Sequence, residues 1–338
     1  MLQVIQYQKT GELRVEELPA PVLRPGGVLV RNACSLISAG TERASVETAQ
    51  ASLLGKARSR PDLVRQTMDS ARREGVLATY RKVQTRLDNY KELGYSSAGV
   101  VLESAVPGFA PGDRVACAGT AHHAEMVSVS KNLVTRIPDE VSFEEAAFVA
   151  LGAIALQGVR QADAKLGESA AVIGLGLVGL ITVQLLRAQG CRVIGLDVDV
   201  RNFELARSLG CDDCARNDEN AAGAIESFTR GRGTDAVLIT ASTPSNQPLE
   251  LGLDVARRRS AIVVVGAVGM DVPRSPFYEK ELELRISRSY GPGRYDPAYE
   301  EDGIDYPIDY VRWTENRNME AALALVAAGK LDVRALLT

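Results

Sequence analysis

Ala170-Ala171-Val172-Ile173-Gly174-Leu175-Gly176-Leu177-Val178-Gly179 begins as an apolar run and ends in three glycines at fixed spacing. Ala170 to Ile173 predicts a buried strand, and Val178 to Gln189 predicts a helix. Between them the glycines do separate jobs: Gly174 permits a tight turn, Gly176 lets backbone come close to a pyrophosphate, and Gly179 lets helix and strand pack tightly. The positive end of the helix dipole then faces the phosphates. The apolar run from Ala170 to Leu186 is almost long enough to raise the question of a membrane span. Its glycines, with Thr182 and Gln184, predict a strand-turn-helix instead.

An acid is expected about 20 residues on, at the end of the second strand. Asp197 stands there, after Val193-Ile194-Gly195-Leu196. Its carboxylate would accept both ribose hydroxyls of NAD and repel the 2′-phosphate of NADP, with Arg201 offsetting part of that repulsion. The expected cofactor is NAD, held by Gly174, Gly176, Leu177, Val178, Gly179, Asp197 and Arg201, and by Thr240 at the end of a later strand.

Beyond this unit the strand-helix alternation continues. Helices are expected over Arg201–Leu209 and Leu249–Arg257, and strands over Ala236–Thr240 and Ser260–Val265. That rhythm predicts a doubly wound parallel sheet with helices on both faces. Upstream, Val4–Tyr7, Leu13–Glu16, Gly27–Asn32, Ala98–Glu103 and Arg114–Cys117 read as short strands between turns. Ser142 to Val159 reads as one helix, with Glu144 and Glu145 suited to its first turn. Residues 43–92 read as a helical insertion, with Val76, Leu77, Tyr80, Val83 and Leu87 at helical spacing and 11 basic residues against 6 acidic ones. It reads as a solvated helix face, or as a docking surface for an anionic substrate. A last helix is expected over Asn318–Ala328.

The 338 residues suit about two domains. A net charge of −4 leaves no basic footprint for nucleic acid or an anionic membrane. Five cysteines are too few for a secreted disulfide scaffold, so a reduced, cytoplasmic setting is expected.

Taken together, these stretches resemble the medium-chain dehydrogenase/reductase superfamily. Gly26 to Arg31, Phe109 to Val115 and Ile137 to Ala147 carry the resemblance along with the glycine motif and Asp197. The resemblance implies a Rossmann domain (150–290) inserted in a distorted-barrel, GroES-like catalytic domain (1–149 and 291–338), with the active site in the cleft between them. Zinc-dependent members place cysteine, histidine and acidic ligands where this sequence has Ser38 (or Ile37), Tyr95, Ser96 and Leu151. None suits zinc, which wants thiolate, imidazole or carboxylate. No metal is therefore expected, either there or in the cysteine-rich lobe, which is absent. The lone Cys211-Asp212-Asp213-Cys214 reads as structural thiols.

Ser38 to Glu42, Tyr90 to Ser96, Tyr290 to Pro297 and Tyr310 to Met319 resemble a zinc-less branch, the N-terminal half of bi-domain oxidoreductases associated with surface polysaccharides. This implies a fused second oxidoreductase domain in a longer chain. Leu331 to Thr338 likewise looks like a family segment that normally continues, which suggests an excised piece or a missing C-terminal closure.

Without zinc, charge growing on a substrate oxygen needs a proton or hydrogen-bond donors. Tyr95 is the expected donor, with Lys91 as the cation lowering its pKa; Ser38, Thr41 and Glu42 are expected to contact substrate or nicotinamide. The aromatics and arginines of 290–317 suit a sugar or sugar acid, or a loop pinned by its rings. The expected function is a zinc-independent NAD-dependent oxidoreductase acting on a sugar-like alcohol or carbonyl. The alternatives are an NADPH-type quinone or enone reductase, separated by Asp197, and a non-catalytic dinucleotide-binding module, separated by a greasy cleft. A homodimer would form through a sheet edge at Ser260–Met270.

Overall fold

The computed structural model describes residues 1–38, 40, 42, 46, 49–50, 61–75, 78–79, 82, 89–218 and 220–337. Six parallel strands form its central sheet: β9 (Ser169–Ile173), β10 (Arg192–Asp197), β11 (Asp213–Arg216), β12 (Thr234–Ile239), β13 (Ala256–Val264) and β14 (Glu283–Ile286), in the order β11-β10-β9-β12-β13-β14. Chain order thus reverses between β9 and β12, and a crevice opens at their carboxyl ends. β9 is buried along its whole length, as a central parallel strand must be.

Helices cover both faces of this sheet. On one face the core holds Leu151, Val172, Leu186 and Leu238; on the other it holds Ile173, Ile194, Ile239 and Leu249. β11 and the helix Ala221–Thr229 have no counterpart in the sequence reading; the short strand Asp213–Arg216 carries only two small apolar side chains, Cys214 and Ala215, between two charges.

The second body is built on an antiparallel, curled five-stranded sheet: β3 (Gly27–Ser35), β5 (Ser96–Ser104), β6 (Arg114–Ala118), β7 (Met126–Ser130) and β8 (Val134–Arg136), ordered β7-β3-β5-β6-β8. Gly99 is obligatory there, since a Cβ would sit 2.1 Å from the Arg31 carbonyl oxygen. A three-stranded sheet joins β1 (Leu2–Tyr7) to β2 (Leu13–Glu17) and to β4 (Tyr90–Glu92).

The single helix expected over Ser142–Val159 is two: Phe143–Ala146 and Val149–Ala162. A side chain from β5 explains the break. Ser96 Oγ donates to the Ala147 carbonyl at 2.5 Å and accepts from the Ala150 N–H at 3.2 Å, so it stands inside the helical ladder. The first helix has its own capping box, with Ser142 and Glu145 satisfying each other's backbone N–H.

Two further expectations change. Ser260–Met270 does not form a sheet edge: β13 is covered by β14, and the edges are β11 and β14. In the insertion, the described helix is Pro61–Glu74, with Arg72 and Arg73 in its last turn. Val76, Leu77, Tyr80, Val83 and Leu87 lie outside the described residues. Among the described residues no helix is long and apolar enough to cross a membrane.

Candidate active site

A cleft of about 820 Å³ lies along the carboxyl ends of β9, β10 and β12 and reaches Ser38, Gly40 and Tyr95 of the other body. It passes over the glycine turn, where the three glycines meet different constraints. Gly174 has a φ of +101°, and a Cβ there would lie 2.6 Å from the Ala241 nitrogen. Gly179 packs so closely that a Cβ would lie 1.9 Å from the Gly174 carbonyl oxygen. At Gly176, with an ordinary φ of −71°, a Cβ would meet nothing within 4 Å. The first and third glycines therefore serve the protein's own packing, whereas the second faces the open cleft at a helix N-terminus. That is the fit a pyrophosphate requires.

Asp197 lies across the turn, lining the cleft. Its Oδ2 accepts the Leu175 N–H at 2.5 Å and its Oδ1 accepts the Asp199 N–H at 2.9 Å, so backbone orients the carboxylate at the cleft. Thr240 also lines the cleft, but its hydroxyl donates to the Gly174 carbonyl at 2.6 Å, bracing the turn. Arg201 is turned away: it forks onto Asp199, with Nε 2.8 Å from Oδ2, and its side chain is 85% exposed. The same hydrogen bonds hold the Asp199 carboxyl down at about 2. Asn217, Ser242, Thr243 and Ser289 line the cleft without having been singled out in the sequence. Asn217 follows β11, the strand that the sequence pattern hides.

At the other end of the cleft, Tyr95 and Ser38 share one wall. Tyr95 stacks on the buried Tyr290, with ring centroids 6.4 Å apart and planes at 26°. Lys91 does not lie beside it in the cleft: it sits exposed on β4 opposite Gln6. The described cation behind the tyrosine pair is Arg294, whose guanidinium lies 4.9 Å from the Tyr290 ring centre.

Glu42 stands behind the wall, not in it. Its Oε1 accepts the Ser38 N–H at 3.0 Å and its Oε2 lies 3.1 Å from His123 Nε2. His123 Nδ1 is 2.8 Å from Ser35 Oγ, so Ser35, His123 and Glu42 form one chain that fixes the Ser38 loop. Thr41 lies outside the described residues.

Among the described residues no three His, Cys, Asp or Glu side chains converge as a metal site. At the positions where relatives with zinc would have ligands, Ser96 is spent on the helix break and Leu151 is fully buried in the core. Their chemistry does not fit zinc.

The six-stranded order, the crossover cleft and the curled second sheet are matched along nearly the whole chain by solved dehydrogenases. Galactitol-1-phosphate dehydrogenase from Escherichia coli superposes with a TM-score of 0.71 at 20% identity, covering 100% of this chain and 92% of that one. An alcohol dehydrogenase from Thermus superposes at 0.72, also at 20% identity, covering 98% of this chain and 90% of that one. The chain has the fold of these dehydrogenases. Residues 178–301 match the family model described as zinc-binding dehydrogenase. Among curated proteins, the alcohol dehydrogenase of Geobacillus stearothermophilus is 32% identical over 45% of this chain and 44% of its own length. D-guloside 3-dehydrogenase of E. coli is 27% identical over 71% of this chain and 67% of its own length. The chain spans about half the length of the first curated relatives it matches, 44% and 51% for the first two.

The return segment of the fold is mixed: Tyr290 and Tyr299 are buried, whereas Tyr295 and Tyr310 are exposed. Tyr299 is fully buried against Tyr306. Trp313 lies between Arg160 and Arg312, at 3.3 and 3.9 Å from its ring centre, and Arg317 pairs with Asp305.

Proposed function

We propose that this chain is an NAD(H)-dependent oxidoreductase that moves hydride to or from a sugar-like alcohol or carbonyl without a catalytic zinc. The observation that carries the reading is Gly176: it has no internal reason to be glycine and opens on a helix N-terminus with Asp197 across the turn. The nicotinamide, when bound, supplies or accepts the hydride. Asp197 would hold the ribose, and its negative charge disfavours a 2′-phosphate, so NAD is preferred over NADP. With Arg201 engaged by Asp199, little offsets that charge.

At the reacting end, Tyr95 would give its proton to the carbonyl oxygen during reduction and take it back during oxidation. Ser38 would hydrogen-bond the same oxygen, its loop held by Glu42 and His123. A wall carrying a phenol and a serine favours an enzyme over a passive dinucleotide module. The carboxylate of Asp197 weighs against an NADPH-dependent quinone or enone reductase. Sugar-like substrates are supported by the relatives that act, by name, as D-guloside 3-dehydrogenase and sorbitol dehydrogenase. A polysaccharide role and a fused second domain belong to the same proposal through the sequence resemblance, and a reduced, cytoplasmic setting through the five cysteines.

The test is calorimetric titration with NADH and NADPH in parallel, with zinc assayed in the same sample, followed by a polyol and sugar screen. Tight NADH binding, weak NADPH binding and turnover without stoichiometric zinc are expected. Binding of neither nucleotide would overturn the reading.

A further inference from the structure

Behind Tyr95, away from the cleft, two carboxyl groups and one guanidinium are enclosed together. Glu315 is 0% exposed, and neither of its carboxylate oxygens faces a hydrogen-bond donor among the described residues. Glu300 has taken the donors: Arg294 Nη1 bonds its Oε1, and the Tyr295 N–H reaches its Oε2 at 3.1 Å. Arg294 Nε is buried and unpartnered. The other groups facing Glu315 are Arg288, Tyr290, Tyr299 and Tyr306.

An ionised Glu315 would be a second negative charge with no donor of its own beside Glu300. One arrangement satisfies both carboxyls: Glu315 carries a proton and donates it to Glu300, which stays paired with Arg294. A buried carboxyl beside a second, half-buried one behaves this way because like charges cannot both ionise cheaply. Burial, with Glu300 next, pushes Glu315 up to about 8.

The cluster is connected to the cleft. Arg294 lies against Tyr290, Tyr290 stacks on Tyr95, and Tyr95 lines the cleft. The backbone that joins them is strained, with Ser289 at φ 47° and Tyr295 at φ 64°. Such outliers persist only where the surroundings over-determine them.

We propose that Glu315 and Glu300 share one proton and, through Arg294 and Tyr290, act as positioning residues that set the charge behind Tyr95. The role rests on the reading of Tyr95 as the proton donor. With the shared proton in place, Glu300 alone carries the negative charge opposite Arg294 and Arg288. When the proton leaves to solvent, one further negative charge, without a hydrogen-bond donor of its own, is added behind the tyrosine pair. A phenolate at Tyr95 is then disfavoured, and proton donation to substrate weakens.

The experiment is carbon NMR of protein labelled at tyrosine Cζ, with and without NADH. The chain has 10 tyrosines, and Tyr95→Phe identifies the resonance of interest. In the parent, the Tyr95 signal should move in a step centred near pH 8. Glu315→Gln should abolish the step while leaving NADH affinity unchanged. Glu300→Gln should abolish it too, because Glu315 then takes Arg294 and stays ionised. No step in the parent, or a step that persists in folded Glu315→Gln, overturns the proposal. Unchanged turnover in Tyr95→Phe would instead end the Tyr95 reading, and with it the catalytic meaning of the shared proton, whether or not the step is seen.

Discussion

Gly176→Ala and Gly179→Ala separate what the glycine turn does for the fold from what it does for the cofactor. At Gly179 a methyl group would sit 1.9 Å from the Gly174 carbonyl oxygen and 2.9 Å from Thr240 Oγ1. Backbone cannot rotate out of the way, so the helix Leu177–Ala188 must lift from β9. Overpacking of this kind costs about 1–3 kcal/mol or more, against about 1 kcal/mol regained from alanine's better helix propensity. A loss of ~2 kcal/mol lowers Tm by roughly 4–8 °C in a unit of this size. At Gly176 the methyl group meets no protein atom within 4 Å, and φ is already −71°. Tm should hold, or rise slightly through lost freedom in the unfolded chain. The methyl group would instead occupy the approach of the pyrophosphate. Losing one charge-assisted hydrogen bond costs about 1.5–3 kcal/mol, or roughly 10- to 100-fold in affinity. Differential scanning calorimetry and NADH titration of both variants decide it. Gly176→Ala with unchanged Tm and parental NADH affinity would refute the placement of the pyrophosphate. Gly176→Ala that melts as early as Gly179→Ala would show that both glycines are there for packing alone.

Other expectations follow from the same geometry. Asp197→Asn should weaken NADH binding at least tenfold and narrow its advantage over NADPH, whereas Arg201→Ala should leave the NADH Kd within about twofold, because Arg201 is tied to Asp199. Parallel titrations of the two variants check this. Tyr95→Phe should lower reductive kcat by about 10²-fold or more with NADH affinity unchanged, read by steady-state kinetics on the best substrate from the screen. The folded protein holds the Glu315 proton more tightly than the unfolded chain does, so its contribution to stability is full below about pH 4.5 and is lost as pH rises through about 8. Glu315→Gln should therefore flatten the fall in Tm between those limits, by at most about 4–5 kcal/mol of differential stability. An identical pH dependence in the variant would refute the burial argument. Among the thiols, burial pushes Cys117 up to about 12 and Cys34 up to about 11, while the hydrogen bond from Cys211, with Arg207 next, lowers Cys214. Under mild thiol titration with mass mapping, Cys214 should react first. Earlier labelling of Cys117 would contradict this.

The sequence by itself determined the parallel sheet, the glycine turn and the acid at the end of the second strand. Each depends on short-range geometry: a period of two or 3.6, a glycine where φ is positive, a carboxylate at a strand's end. The spacing from Gly174 to Asp197 survives in the fold because one strand, one helix and one strand fill it with little freedom. Tertiary structure alone decided what surrounds Tyr95. Lys91 is only four residues away in sequence but belongs to a strand that pairs with β1, so sequence proximity did not place it in the cleft. Arg294, Glu300 and Glu315, some 200 residues later, reach Tyr95 through Tyr290, and no local pattern announces a contact at that separation. The break at Ala147–Phe148 has the same origin, a serine from another strand entering a helix that its own residues would have continued. Local propensity and motif spacing act within a few residues, whereas buried charge and side-chain insertion depend on which distant segments the core brings together.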